Sequence, residues 1–197
     1  MMFGYCKRMP RPGHQWYHAM ISLYGHWPTG DPRGFRHKHH RIHSSGDYKH
    51  RPPPDEHAGL RRWVKRQMGE PTRLTQSQRQ DLGRALRDRL VEKDFRVAAV
   101  AMCRDDTHLL IEGPGELAEA KRLVGHVKKS MAVRFRDLPA KRLWARGCDL
   151  KPVRDQAYFR NLRTFITDHV GEGAWTWDAT HGDNPPLSDR VRRKYDP

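Results

Sequence analysis

Residues 95–112 read FRVAAVAMCRDDTHLLIE and hold the pattern that decides the fold. The apolar run at 95–102 predicts a buried strand, and residues 107–112 predict a second strand after a short polar turn. Two strands joined by so tight a turn form an antiparallel hairpin. Asp106 and His108 are two residues apart at the start of the second strand, so we expect their side chains on the same face of the sheet, where they can chelate a divalent cation.

A predicted helix later in the chain supplies a third candidate ligand. It spans residues 155–170, with Asp155 as a plausible N-cap, and carries His169 near its end. His169 can therefore complete a metal site with Asp106 and His108. The same residues also fit a simpler interpretation, in which Asp106 caps the hairpin turn and both histidines are ordinary surface or hydrogen-bonded side chains.

Periodicity and capping residues predict three further helices. The first is a short helix at residues 58–68. Thr75 and Gln78 have the spacing of a capping box, and the apolar stripe that follows predicts a helix that ends near Glu92. A third amphipathic helix is predicted at residues 117–131, where apolar positions recur at helical spacing.

The remaining elements are strands and appendages. The predicted strands are residues 15–24, a segment within 143–153, and a short final strand around Trp175 and Trp177. The sequence divides into a basic arm (1–15), a domain (16–177) and a basic tail (178–197). Within the domain, a long insertion loop (25–57) rich in His, Arg and Pro follows the first strand. Together the elements predict an α+β fold, an antiparallel sheet with helices packed on one face.

Charge is the strongest compositional signal. The 197-residue chain carries 38 Lys and Arg against 23 Asp and Glu, a formal net charge of +15, which favours nucleic acid as the partner over a merely solvated basic surface. Cys6, Cys103 and Cys148 form no C-x-x-C pair and no apolar leader precedes them, so we expect reduced thiols in the cytoplasm. The apolar runs are too short to span a membrane.

Several basic and aromatic residues are candidates for nucleic-acid contact. The basic candidates are Arg33, Arg36, Arg61, Arg62, Lys65, Arg66, Lys121, Lys128 and Lys129, which we expect to contact phosphates unless they form a solvated face. Trp16, Trp27, Tyr48 and Trp144 are candidates for stacking on unpaired bases, although core packing is the favoured interpretation for Trp16 and Trp144. The His-rich run at 37–43 is interpreted as a polycationic loop that contacts the backbone.

Five motifs, taken in order, resemble those of the single-tyrosine HUH transposases. This family, which includes the REP-associated and small insertion-sequence transposases, cuts and rejoins single-stranded DNA. DTHLL at 106–110 is similar to the family's strand motif H-V-H-L-L, and RTFITDH at 163–169 is similar to its helix motif R-Y-I-x-x-Q/H. WYHAMISLYG at 16–25, GDPRGF at 30–35 and LWARGC at 143–148 resemble further family motifs in the same order.

The resemblance implies a ferredoxin-like or RRM-like fold, single-stranded or hairpin DNA as partner, and Mg²⁺ or Mn²⁺ held by Asp106, His108 and His169. It also exposes two departures, since Asp106 replaces the first histidine and Phe165 replaces the nucleophilic tyrosine. Tyr158 is the candidate substitute, on the same helix face but seven residues earlier, which is about 10 Å along the axis.

Three functions remain open at this point. The first is a DNA-binding protein of the transposase type that is impaired in strand cleavage, because Phe165 has no hydroxyl. The second is an active, metal-dependent transposase or nickase that uses Tyr158 or water. The third is an RNA-binding or structural module, since RRM-like sheets also suit RNA. The sequence leaves the oligomeric state open, with a homodimer as one option.

Overall fold

The computed structural model describes residues 9–32, 43–45, 50, 52–138 and 142–188. The elements in chain order are β1 (His14–Ser22), α1 (Ala58–Met68), α2 (Gln76–Glu92), β2 (Arg96–Met102), β3 (Asp106–Pro114), α3 (Leu117–Arg134), β4 (Asp149–Pro152), α4 (Gln156–Asp168), a 3₁₀ helix (His169–Glu172), β5 (Trp175–Asp178) and β6 (Gly182–Asp183). Of the predicted residues, Cys6, Arg33, Arg36, Tyr48 and the His-rich segment 37–42 lie outside these ranges.

The strands form one sheet in the order β4-β1-β3-β2-β5-β6, and every neighbouring pair is antiparallel. The predicted hairpin of β2 and β3 lies at its centre. β1 pairs with β3 on the side away from β2. In this register His18 lies opposite Leu110 and Met20 lies opposite His108. The predicted α+β fold class is confirmed.

Helices cover both faces of this sheet. On one face, α2 and α3 pack against alternate strand residues such as Tyr17, Leu109 and Ile111, as predicted. The helix α4 lies on the opposite face, where its Phe159 and Ile166 join a second cluster of buried residues. The prediction placed the helices on one face of the sheet, which is correct for α2 and α3. The helix α4 packs its apolar side chains on the other face, so the domain has three layers, with the sheet in the middle.

Local capping explains where two of the helices begin. Thr75 and Gln78 form the predicted capping box at the start of α2, each side chain bonding the backbone N–H of the other residue. The carboxylate of Asp155 accepts a hydrogen bond from the N–H of Tyr158 at 2.7 Å and begins α4. The α-helix ends at Asp168, so His169 belongs to the 3₁₀ helix that follows rather than to the predicted helix.

Residues on both sides of the predicted domain (16–177) contact its sheet. The short strand β6 pairs with β5, so the sheet extends past residue 177 into the predicted tail. Before β1, the guanidinium of Arg11, a residue of the predicted arm, lies 2.9 Å from the buried carboxylate of Glu112, which Arg96 also contacts. Within the described residues, no helix is long and apolar enough to cross a membrane.

Candidate metal centre and basic surface

The structure brings the three predicted metal ligands together. Asp106 and His108 begin β3 on the face that carries α4, and His169 follows the end of that helix. The rings of His108 and His169 stack with their centroids 4.9 Å apart. An oxygen of Asp106, Oδ1, lies 3.6 Å from His108 Nε2. His108 therefore lies between the carboxylate of Asp106 and the ring of His169, at the end of β3 where this central strand begins.

Cys103 is a fourth member of this group, which the sequence analysis treated only as a reduced thiol. It lies in the turn between β2 and β3, and its backbone N–H bonds the carbonyl oxygen of Asp106 at 2.9 Å. Its sulfur and one nitrogen each of His108 and His169 all lie within 4.8 Å of one another. The available signal was its position, three residues before Asp106 in the turn that leads into β3.

His18 is the second residue that sequence reasoning missed. It lies on β1 with its side chain on the same face as His108, and its Nε2 is 3.1 Å from His108 Nδ1. Because Nδ1 of His108 is occupied in this way, its Nε2 faces Asp106. The signal in the sequence was alternation, since His18 stands between Tyr17 and Ala19, which are buried on the other face.

The environment favours neutral imidazoles in this centre. Burial, and to a lesser extent the neighbouring charge of His108, lower the pKa of His18 to about 4. Burial also lowers the pKa of His108, although the carboxylate of Asp106 opposes the shift. For the thiol of Cys103, burial and the Asp106 carboxylate both raise the pKa. The neutral ring of His108 therefore offers a lone pair near neutral pH, and the thiol of Cys103 must release a proton to bind a cation.

His169 has the arrangement of a metal-binding histidine. Its Nδ1 lies 3.1 Å from a carboxylate oxygen of Glu172 in the 3₁₀ helix. Its Nε2 is buried and has no hydrogen-bond partner among the described residues. Metal-binding histidines commonly bond a carboxylate through one ring nitrogen and the ion through the other. The donor set of Cys103, His108, His169 and Asp106 therefore fits a divalent cation.

Phe165, which the motif resemblance aligned with a nucleophilic tyrosine, stands beside this centre. Its ring makes edge-to-face contacts with His108 and His169, at centroid distances of 5.4 and 4.8 Å, and is 46% exposed. Tyr158 is also partly exposed, but it lies two helical turns earlier, about 10 Å along α4. The aromatic ring nearest the centre thus carries no hydroxyl.

A basic surface lies on α1, a helix with no buried residue and no acidic residue. Arg62, Lys65 and Arg66 are exposed, Arg61 is half-buried, and the indole of Trp63 is 55% exposed. A cleft of about 630 Å³ separates α1 from the segment after β1. Its charged lining residues are Asp31, Arg61, Lys65, Arg66, Glu70 and Arg73.

The candidates on α3 and the tryptophans divide into exposed and buried residues. Lys121 and Lys129 are exposed as predicted, but Lys128 is buried and its ammonium group donates to the carbonyl oxygens of Ala145 and Gly147. The prediction that Lys128 contacts phosphate is therefore wrong, because its charge is used inside the fold. Trp16 and Trp144 are buried core residues, and Trp27 is 57% exposed.

Comparison with known proteins gives limited information. No family model and no curated protein matches this chain. A solved structure of a REP-associated tyrosine transposase bound to a REP hairpin aligns with 87% of this chain and 75% of its own length, at 14% identity and a TM-score of 0.45. At these values the likeness identifies neither the family nor the function of this chain.

Proposed function

We propose that this protein binds single-stranded or hairpin DNA through α1, and that it does not form a phosphotyrosine intermediate. The observation that carries the proposal is the composition of α1, which presents four cations and an exposed tryptophan with no carboxylate between them. The order of the transposase-like motifs supports DNA as the nucleic acid.

The chemistry of α1 suits an unpaired strand. Lysine and arginine side chains that neutralise phosphates release counterions, which supplies most of the sequence-independent affinity. Exposed aromatic rings such as that of Trp63 stack on unpaired bases, an interaction worth about 1–3 kcal/mol per base. The cleft beside α1 is lined by four cations and two carboxylates, so its net positive charge suits a nucleic-acid backbone.

The arrangement of layers argues against RNA binding of the RRM type. Those modules stack bases on exposed aromatic side chains of one sheet face. In this protein α2 and α3 cover one face, and α4 lies over β2 and β3 on the other. Trp16 is 3% exposed and packs against Phe159 at a centroid distance of 4.9 Å. Trp16, Tyr17 and Trp175 are therefore core residues, and Trp177 is partly buried against the core.

Loss of phosphotyrosine chemistry follows from Phe165. Covalent transfer of a DNA strand requires an oxygen nucleophile next to the metal-bound phosphate, and a phenyl ring has none. Tyr158 is displaced by about 10 Å along the helix, and displacements of about 1 Å already cost orders of magnitude in rate. We therefore propose that strand cleavage is impaired.

A second candidate function is metal-dependent nicking with water or Tyr158 as the nucleophile. The convergence of Cys103, His108 and His169 favours it, because a divalent cation held there would polarise a phosphate. The sequence-based expectation for this cation was Mg²⁺ or Mn²⁺.

Salt-dependent binding tests the role of α1. Fluorescence anisotropy with a labelled DNA hairpin and an RNA of the same sequence is measured between about 50 and 200 mM salt. The triple variant Arg62→Gln/Lys65→Gln/Arg66→Gln removes three of the cations on α1. We expect it to flatten the slope of log affinity against log salt by about 2 to 3, since each phosphate contact contributes about 0.7 on a single strand and about 0.9 on a duplex stem. Wild-type protein is expected to prefer DNA.

The control is Lys121→Gln/Arg122→Gln/Lys129→Gln, which removes the same number of charges from the exposed face of α3. We expect a smaller change in slope for this variant. An α1 variant that binds like the wild type, or equal losses in the two variants, would remove α1 as the interface. Equal affinity for DNA and RNA would contradict the proposed substrate class.

A further inference from the structure

We infer that Cys103, His108, His169 and Asp106 form a zinc site with four protein ligands, which fastens the β2–β3 turn to the end of α4. This inference concerns the identity of the cation and is independent of DNA binding by α1. It differs from the magnesium or manganese site that the motif resemblance implied. The residue that makes the difference is Cys103.

The geometry fits a tetrahedral ion. Bonds of about 2.0–2.3 Å from zinc to nitrogen, oxygen and sulfur place tetrahedral donors about 3.3–3.8 Å apart. Asp106 Oδ1 and His108 Nε2 are already 3.6 Å apart. The donor atoms of Cys103, His108 and His169 lie within 4.8 Å of one another, so an approach of about 1 Å brings these three to tetrahedral distances. We infer that Asp106 joins them as the fourth ligand from its position beside His108.

Both histidines are held in the orientation that zinc requires. The ring of His108 is fixed through Nδ1 by His18, and the ring of His169 is fixed through Nδ1 by Glu172, each at 3.1 Å. Each ring therefore directs Nε2 at the centre. A buried nitrogen without a hydrogen-bond partner, such as His169 Nε2, is costly unless a ligand satisfies it, and zinc does so here.

The chemistry of the donors selects zinc. Magnesium requires six oxygen ligands in octahedral geometry and usually keeps several waters, whereas one sulfur, two imidazoles and one carboxylate suit zinc in tetrahedral geometry. On binding, the thiol of Cys103 forms a sulfur–zinc bond and its proton leaves to the buffer. Four protein ligands leave no open position for a scissile phosphate, which is the property of a structural zinc site and would exclude the second candidate function, nicking at this centre.

Metal titration of the full-length protein tests this inference. Chelator-treated protein is titrated with Zn²⁺, Mg²⁺ and Co²⁺, and metal content, melting temperature and the absorption spectrum are recorded. We expect one zinc per chain with a rise in melting temperature, no rise with magnesium, and a near-ultraviolet sulfur-to-cobalt charge-transfer band with Co²⁺. These readouts require neither DNA nor catalytic activity.

Cysteine variants test whether the sulfur that binds the metal is that of Cys103. Cys103→Ser should abolish the cobalt band and weaken zinc binding by at least about tenfold. The matched control is Cys148→Ser, which replaces the other half-buried free cysteine of the described residues and should leave the band unchanged. A wild-type cobalt complex without a thiolate band would overturn the inference, and this result does not depend on the folding of any variant. Zinc affinity that survives in Cys103→Ser, or an equal thermal shift with magnesium, would also overturn it.

Discussion

His18 sets the orientation of His108 through a single contact between buried rings, 3.1 Å from nitrogen to nitrogen. Loss of such a partner of a metal-binding histidine typically weakens metal affinity by about 10- to 100-fold. We expect His18→Ala to weaken binding of a divalent cation by a factor in this range, as measured by competition with a fluorescent chelator. The control is His126→Ala, on the exposed face of α3. Equal affinities in the two variants would show that His18 only packs against the centre.

Lys128 and Lys129 are adjacent on α3 and have opposite roles. The ammonium group of Lys128 satisfies the carbonyl oxygens of Ala145 and Gly147, whereas Lys129 is exposed. Unpaired buried polar groups cost about 1–3 kcal/mol each. We expect Lys128→Ala to lower the free energy of unfolding in urea by at least that amount, and Lys129→Ala to change it by less than about 0.5 kcal/mol. A similar small effect in both variants would contradict the structural role of Lys128.

At the scale of elements, α2 approaches β5 closely because Gly83 has no side chain. A Cβ at this position would clash with the buried ring of Trp175, while a Cβ at Gly125 of α3 would meet nothing within 4 Å. We expect Gly83→Ala to destabilise the protein by about 1–3 kcal/mol. Gly125→Ala should instead stabilise it by about 0.5–1 kcal/mol, because alanine favours helix. Thermal and urea denaturation measure both, and a stabilised Gly83→Ala protein would show that this helix–sheet contact is loose.

Elements whose signals are local could be predicted from the sequence. The bounds of α1, the capping box of α2 and the β2–β3 hairpin agree with the prediction, because each depends on residues within a few positions of one another. The position of α4 on the other face could not be predicted, since either face of the sheet can accept an amphipathic helix. The neighbours of Lys128 also depend on a tertiary contact, in which residues 145–147 fold back over α3.

The candidate centre was predicted only in part for the same reason. Asp106 and His108 share a strand, so their spacing was enough to bring them together. The contact between His18 and His108 spans 90 residues and depends on the register of β1 against β3, which alternation alone does not fix. Cys103 was missed because a single cysteine in a turn carries no ligand spacing of its own.

At the scale of the whole molecule, the basic cleft beside α1 and the centre near Phe165 are lined by different residues. A formal net charge of +15 favours association with a polyanion. The proposed zinc site would strengthen the junction between the β2–β3 turn and the end of α4. Under the proposed function, this combination would hold DNA without a covalent bond to it.

Parallel native and denaturing gels test this account most directly. Wild-type protein and Tyr158→Phe are each mixed with labelled single-stranded hairpin DNA, with Mn²⁺ or Zn²⁺ present. The account predicts a shifted complex on the native gel, and neither a protein–DNA adduct nor a cleaved strand on the denaturing gel, for both proteins. A covalent band in the wild type that disappears in Tyr158→Phe would contradict it, because Tyr158 would then be a working nucleophile. The absence of any native complex would contradict it equally.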